Sequence, residues 1–556
     1  MRAFRPFIIF LALPFIFSCS QKKERKADTI FYGGDILTME DLHPTAEAVA
    51  VLGGKIIFIG KKEEALHYKT ATTEVIDLQG KTLLPGFIDP HTHIIPTALT
   101  LKGFQLDPFT YKTGGEVLTA LKEKVKEGPV LAFRYDPSLM KEPIDLNFKT
   151  LNSISQTTPI LVINTSGHIA YGNDAAFRAA NITSATRNPQ GASFERDKNN
   201  NLTGVAFELP AVALLLESFL QMKKLDFETL TKDAISYYAR QGYTTLTDLA
   251  LGLPMPTPLE SLEILRKVAH DKEAPVRIQG YLIYPLLQKF AALEKRNDPS
   301  FKVLGIKIWA DGSLQGHTGA LTEPYTDLPK SRGTLNYPAQ TLTEMVKQVH
   351  EKGIQIAIHA NGDAAIQNSL NAFEQALHSF PATDPRFRVE HATILDRAAF
   401  IKMKNVKATP SFTVLHIYNW GEVLKDKILG EERANDIDPA RSAKELGLKF
   451  SINEDSLSEI GPLFLIQVVV TRQMRDGQVL APDETISVNE ALKAMTIYPA
   501  WQSFRDKEIG SIATGKYADF VILAKNPKKV NPTEIGSITV VETWLEGRRV
   551  LQGTSH

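Results

Sequence analysis

In the run Pro85-Gly86-Phe87-Ile88-Asp89-Pro90-His91-Thr92-His93, two histidines stand two residues apart after an apolar stretch. Residues i and i+2 of a strand point the same way. His91 and His93 can therefore present two imidazoles to one ion, a donor set suited to zinc or a similar divalent metal. A lone His-x-His is a weak signal, because 13 histidines are scattered through the chain. Its weight comes from the groups around it. His359 ends the run Ile354–Ile358, His391 ends Phe387–Glu390, and Asp455 follows Ser451-Ile452-Asn453-Glu454. Lys307 lies inside Gly305-Ile306-Lys307-Ile308-Trp309-Ala310, where a charged amine among apolar strand residues is expensive. It either reaches solvent at a rim or is chemically changed.

The elements that must hold these groups are legible as alternating short apolar runs and helix-period stretches, the mark of a parallel α/β architecture. Eight strands are predicted: Leu83–Asp89, Thr244–Leu249, Val276–Tyr284, Val303–Ala310, Ile354–His359, Phe387–His391, Val406–Pro410 and Leu448–Asn453. Leu259–His270, Gln340–Lys352 and Ala364–Phe380 carry helical periodicity between them. Eight β/α units suggest a TIM (β/α)8 barrel, spanning 85–501. His359 and His391 then fall at the C-terminal strand ends, where such barrels place catalysis.

The first two strands lie about 150 residues apart, far beyond a normal βα connection. An inserted lobe over 96–220 is expected there, with its own strand candidates Val130–Arg134 and Ile160–Asn164. Before the barrel, Thr29–Tyr32, Ala48–Leu52, Lys55–Ile59 and Glu74–Leu78 are β-rich runs, the second and third joined as a hairpin through Gly53-Gly54. After it come Asp519–Leu523, Val540–Leu545 and Arg548–Leu551. Neither end alone has enough strands to bury a core, so 28–84 and 502–556 are expected to combine as one small β-sandwich domain.

Composition excludes several classes. The 556 residues are 43% hydrophobic and 23% charged, which argues against wholesale disorder. Sixty-three basic side chains balance 63 acidic ones, against a nucleic-acid partner, which needs a basic face. One cysteine rules out an internal disulfide framework and a Cys-rich zinc site.

That cysteine is Cys19. Arg2 and Arg5 precede an apolar stretch from Phe7 to Phe17 and then Ser18-Cys19-Ser20. The stretch is shorter than the roughly 20 residues of a membrane span and reads as a secretory signal over 1–19. It resembles the bacterial lipobox, with Phe17 bulkier than usual, which implies acylation at Cys19, a charged tether over 20–27, export, and anchoring to a bacterial membrane. Ser20 after the cysteine favours the outer membrane, facing the periplasm. The membrane is then met through the lipid anchor only.

Together, Pro-Gly-Phe-Ile-Asp-Pro-His-Thr-His, Lys-Ile-Trp-Ala-Asp-Gly-Ser, Ala-Ile-His-Ala-Asn-Gly-Asp, Arg-Val-Glu-His-Ala and the closing Gly-Ser-Ile-Ala-Thr-Gly-Lys-Tyr-Ala-Asp-Phe-Val-Ile-Leu resemble the amidohydrolase superfamily, in its YtcJ-like branch that includes N-substituted formamide deformylases. The resemblance covers nearly everything after the tether. It implies that His91 and His93 hold one divalent ion, that His359 and His391 hold or approach a second, and that Lys307, carboxylated by CO2, bridges them. The site would hold one or two ions, with zinc favoured. The alternative for Lys307 is an ordinary salt bridge, for instance to Asp311. Asp455 maps onto the last-strand aspartate, as metal ligand and general base, in preference to Glu454. His391 would serve as ligand or stabilise the oxyanion.

The expected activity is attack of a metal-activated water on a non-peptide C–N bond of a small amide-like or N-substituted formamide-like substrate. The alternatives are a lipid-anchored binding protein on the same fold, and a deaminase or lactonase of the same superfamily. His168 and Asn173 match a branch motif placed near the substrate. Trp309 and Asp311 are candidate pocket residues, and His416, Tyr418 and Trp420 a candidate aromatic wall. Asp363 is expected to cap a helix, and His317 has no assigned role. A homo-oligomer stays open.

Overall fold

The computed structural model describes residues 26–223, 225–253, 257–455 and 460–552. The signal, Cys19 and most of the tether lie outside the described residues. At the centre, eight parallel strands pair in chain order: β1 (Phe87–Thr92), β2 (Tyr243–Leu251), β3 (Arg277–Ile283), β4 (Phe301–Trp309), β5 (Gln355–Ala360), β6 (Phe387–His391), β7 (Ala408–Thr413) and β8 (Ser451–Asn453). β8 returns to pack beside β1, so the sheet is a nearly closed barrel. These strands are buried along almost their whole length, as expected where helices cover the outside and side chains fill the inside. Helices Pro258–Ala269, Ala339–His350 and Asp363–Ser379 follow β2, β4 and β5. The cap of the last is Gly362, with Asp363 as its first residue, a one-position correction of the expected cap.

The expected first strand, Leu83–Asp89, is two strands. Thr82–Pro85 belongs to another sheet, and β1 begins at Phe87. The break is at Gly86, where a Cβ would come within 2.3 Å of Thr244 Oγ1. Only glycine lets the chain pass that close to β2 while changing sheets. The change carries β1 further along, so His91 is on the strand itself. At the seventh strand, the left-handed backbone at Lys407 interrupts the apolar run, and β7 starts at Ala408.

Thr82–Pro85 pairs with Phe520–Leu523 and Thr29–Leu37, and so joins the two ends of the chain. The result is a mixed sheet of eight strands, seven along one hydrogen-bonded path that includes the hairpin of Thr45–Leu52 and Lys55–Gly60, and the eighth, Glu74–Asp77, paired with Thr29–Leu37 off that path. It is tied to the barrel by Arg277 at the start of β3, fully buried between Asp519 and Glu546, with 2.7 Å to the latter. Between β1 and β2 lies a six-stranded sheet in the order Ser193–Arg196, Leu202–Phe207, Ile169–Gly172, Ile160–Asn164, Val130–Tyr135, Phe104–Gln105.

Candidate metal centre and active site

Three strand ends bring together a compact donor set. His91 lies in β1, His391 closes β6 and Asp455 follows β8, and one ligand atom of each lies within 4.8 Å of the others. His391 and Asp455 both have left-handed backbone, at φ 66° and 56°. Such conformations cost about 1–3 kcal/mol each and persist where the surrounding structure holds them. Here they occur at the two residues whose side chains converge on His91.

Hydrogen bonding decides which imidazole nitrogens are lone pairs. His91 Nδ1 is 2.8 Å from Glu390 Oε2, an acceptor only, so Nδ1 carries the proton and Nε2 is bare. Thr413 Oγ1 donates to Asn453 Oδ1 at 2.9 Å and so accepts from His391 Nδ1 at 2.8 Å. His391 Nε2 is again the bare nitrogen, buried and without a hydrogen-bond partner among the described residues. Asp455 Oδ1 lies 3.3 Å from His91 Nε2 and 3.2 Å from His93 Nε2. Bare imidazole nitrogens facing a carboxylate oxygen in a buried site lack only a cation between them, and the donor set suits a divalent metal.

Charge is arranged to match. Burial works to raise the Asp455 pKa, but the His91 and His93 ring nitrogens beside it, and Lys307 beyond them, outweigh it and hold the carboxyl well below the usual range. Burial likewise opposes ionisation of Glu390, but Arg388 and His91 overcome it and push it down to about 2. Arg388 grips Glu390 with two hydrogen bonds of 2.7 and 3.1 Å from two residues along the same strand face. His91, pushed down to about 4 by burial and then by Lys307, is neutral as a ligand must be. His391 is lowered well below its usual value by burial and by its neighbouring histidines.

Lys307 is fully buried inside the barrel, with Nζ 3.5 Å from His91 Nε2 and 5.2 Å from the Trp309 ring centre. Burial pushes it down to about 8. Among the described residues no carboxylate lies within 4 Å of it; the expected alternative, a salt bridge to Asp311, does not form. Asp311 instead accepts from the backbone N–H groups of Asn361, Gly362 and Ala320 at 3.0, 2.8 and 2.9 Å. It ties together the loops beyond β4 and β5, with Oδ1 3.6 Å from His359 Nε2.

His93 heads the helix Ile94–Lys102 and reaches the centre through Asp455. His359 approaches the centre, its ring 4.3 Å from that of His391, while its Nε2 lies 3.1 Å from both the Gly312 carbonyl and Asn361 Nδ2, outside the three-residue cluster. His168 immediately precedes the strand Ile169–Gly172 of the six-stranded sheet, and its ring lies 5.0 Å from that of His359, tilted by 45°. Ile169 pairs with Phe207, so the residues flanking that pair, His168 and Glu208, meet at 2.6 Å. Burial disfavours charge on His168, but Glu208 outweighs it and raises the pKa. No side chain fits at Gly312, where a Cβ would sit 2.2 Å from Glu208 Oε1.

Asn173 is not at the site. It caps the helix Asp174–Ala179, accepting from Ala176 and Ile160, and its amide donates to the Ser155 and Thr158 carbonyls. Every hydrogen-bonding group is spent on backbone, so the motif spacing reports a cap here. His416 and Trp420 line the mouth of the site on a π-helical turn, with Trp420 Nε1 donating to Asp136 at 2.9 Å, while Tyr418 faces an adjoining outer cleft. Trp309 lines an inner cavity. Glu390, Thr413, Asn453 and Glu208 are groups the sequence reading assigned no role. The signal for Glu390 was present: Arg-x-Glu inside an apolar strand demands a buried pair, as Lys307 demanded a reason.

The amidohydrolase family model matches residues 74–551. The protein YtcJ of Bacillus subtilis (strain 168) is 28% identical over 539 residues, covering 94% of this chain and 99% of the relative. The N-substituted formamide deformylase of Arthrobacter pascens is 26% identical over 542 residues, covering 94% and 97%. In fold, the chain is similar to an uncharacterized metal-dependent hydrolase from Pyrococcus horikoshii OT3, with TM-score 0.72 and 22% identity over 91% of this chain and 99% of that one.

Proposed function

The chain belongs to the amidohydrolase family, in its YtcJ-like branch, and from that premise we propose that it is a metal-dependent hydrolase of a non-peptide C–N bond, in an amide or N-substituted formamide-like small molecule. The observation that carries the reading is the convergence of two bare imidazole nitrogens and one ionised carboxylate, His91, His391 and Asp455, on a single buried point. His93 and Lys307 complete the surround, and zinc is the ion we assign. When bound, a divalent ion supplies Lewis acidity, acidifying a water and polarising a carbonyl.

The chain's own groups do the rest. Asp455, ionised, takes the proton of the attacking water and returns it to the leaving nitrogen. Glu390 fixes the His91 ring, and Thr413 fixes His391. His168, paired with Glu208, faces the substrate from the six-stranded sheet, which we take as the inserted lobe; the composite sheet is taken as the supporting sandwich. Lys307, with a pKa near neutrality, has an amine able to lose its proton and add CO2, and the carbamate anion formed would replace an unpaired buried cation with an anionic ligand. From the lipobox-like run ending at Cys19 we further propose an exported lipoprotein acylated at that residue.

The test is a panel of N-substituted formamides, acetamides and ureas offered to chelated and zinc-reloaded protein, with released amine read by chromatography. Release that needs the metal supports the proposal. Metal-dependent deamination or lactone opening, with every amide inert, would replace it with the alternative chemistry of the same superfamily.

A further inference from the structure

Asp438 takes no part in the steps proposed above, yet its placement is costly. The residue is fully buried, its backbone is left-handed at φ 45°, and neither carboxylate oxygen has a hydrogen-bond partner among the described residues. Strained backbone and an unserved buried carboxylate each cost free energy, and native structures keep such features chiefly where function needs them. The buried cation Arg472 gives its guanidinium to backbone, donating to the Leu480, Asp438 and Ile437 carbonyls rather than to the carboxylate. Asp438 Oδ2 instead lies 3.7 Å from His416 Nδ1.

His416 opens the π-helical turn His416–Trp420, a form of helix found frequently at functional sites. It lines the cavity over the metal centre, its ring centre 6.3 Å from that of His391. The proton on the ring can be placed. Asn361 Nδ2 donates to the Gly312 carbonyl at 2.8 Å, so Oδ1 is the atom that faces Thr393, and it accepts the Thr393 hydroxyl proton at 2.7 Å. With that proton spent, Thr393 Oγ1 can only accept from His416 Nδ1, 3.3 Å away. Asp438, as a carboxylate, is an acceptor too. Nδ1 therefore carries the proton and Nε2 is bare. Thr393 and Asp438 are both fully buried, so Nδ1 lies on the inner edge of the ring, and the far edge, with Nε2, is the one that meets the cavity.

We infer that His416 is a specificity-determining residue whose bare Nε2 accepts a hydrogen bond from a substrate N–H beside the reacting bond, and that Asp438 is the residue that positions it. The site then selects amides that keep an N–H over their fully N-substituted counterparts. The inference rests on the metal-dependent hydrolase reading for where the reacting bond sits, and extends it to substrate class.

Acetohydroxamic acid and its N-methyl derivative test it, because both bind zinc through the same two oxygens and differ in the N–H. Calorimetric affinity for zinc-loaded protein is the readout, with amine release from N-methylformamide and N,N-dimethylformamide followed in parallel. Wild-type protein is expected to bind the N–H probe about tenfold tighter than the N-methyl one, since the methyl group leaves a buried acceptor unserved. His416→Phe, which keeps a flat ring, brings the two affinities within about twofold. Asp438→Leu narrows the preference to about threefold or less, and Asp438→Asn, which keeps an oxygen to accept from Nδ1, restores it. Asp438→Ala replaces the leucine variant should that one not fold by circular dichroism. A preference that is absent from wild-type protein, or that survives in His416→Phe, overturns the assignment of His416. Asparagine and leucine at 438 acting alike would mean that Asp438 only balances the charge of Arg472, and overturns its positioning role. The expected binding pattern with no amine released from either amide keeps the assignment and loses the hydrolase reading.

Discussion

Replacing Glu390 by Gln separates the structural from the metal-holding work of one buried carboxylate. The side chain keeps its shape but loses its charge, and two partners feel it. Arg388, 0% exposed, is left as a buried cation with no carboxylate partner, in contact with the Pro90 carbonyl at 2.8 Å and the Tyr281 ring at 5.3 Å. Breaking one side of such a pair costs about 3–5 kcal/mol. His91 loses the acceptor that fixes its Nδ1–H tautomer, and outer partners of this kind are worth about 10–100-fold in metal affinity. Two assays read the two losses: urea unfolding of metal-free protein, and zinc competition against a chelating dye. The double variant Arg388→Met/Glu390→Leu discriminates further. Removing both charges should recover much of the stability, while zinc affinity stays low because His91 remains unoriented. Wild-type zinc affinity in Glu390→Gln, or its recovery in the double variant, would refute the assignment of Glu390 as the group that orients His91.

Asp455→Asn should bind zinc more weakly and lose turnover while retaining the wild-type circular dichroism spectrum; measurable wild-type turnover would remove Asp455 as the base. Protein equilibrated with 13C-bicarbonate should show a carbamate carbon resonance that Lys307→Met abolishes, and its absence from wild-type protein would return Lys307 to a plain buried amine. Because Glu390 titrates at about 2 in the folded chain against 4.5 ordinarily, it stabilises the fold above pH 4.5, and this contribution is lost as pH falls towards 2. Acid unfolding of the wild type should therefore be steeper in that window than that of Glu390→Gln. Arg277→Met should cost about 3–5 kcal/mol in urea unfolding by leaving Asp519 buried and unpaired where the composite sheet meets the barrel.

The barrel was legible because its strands are buried on both faces and therefore read as continuous apolar runs, and because His359 and His391 close two of them. Boundaries slipped where local backbone conformation intervened, at Gly86 and at Lys407, because an apolar pattern does not report φ. The polar groups were legible as a set but not in their partners. Asn173 matched a spacing, yet its amide is consumed by a helix cap, and Asp311 was drawn to backbone N–H groups that no pattern predicts. His168 and Glu208 are 40 residues apart and meet only through the antiparallel register of their strands. Glu390 was visible and passed over, since its neighbour His391 explained the motif by itself.

The central claim is that His91, His391 and Asp455 hold a divalent ion. Metal content by mass spectrometry, on a soluble fragment starting after Cys19 and purified without chelators, tests it most directly. The account predicts at least one zinc per chain, about two if carboxylated Lys307 bridges a pair, falling towards none when His91 and His391 are both replaced by Ala. A wild-type chain that carries no metal even after reconstitution, or a double variant that keeps the full complement, would contradict it.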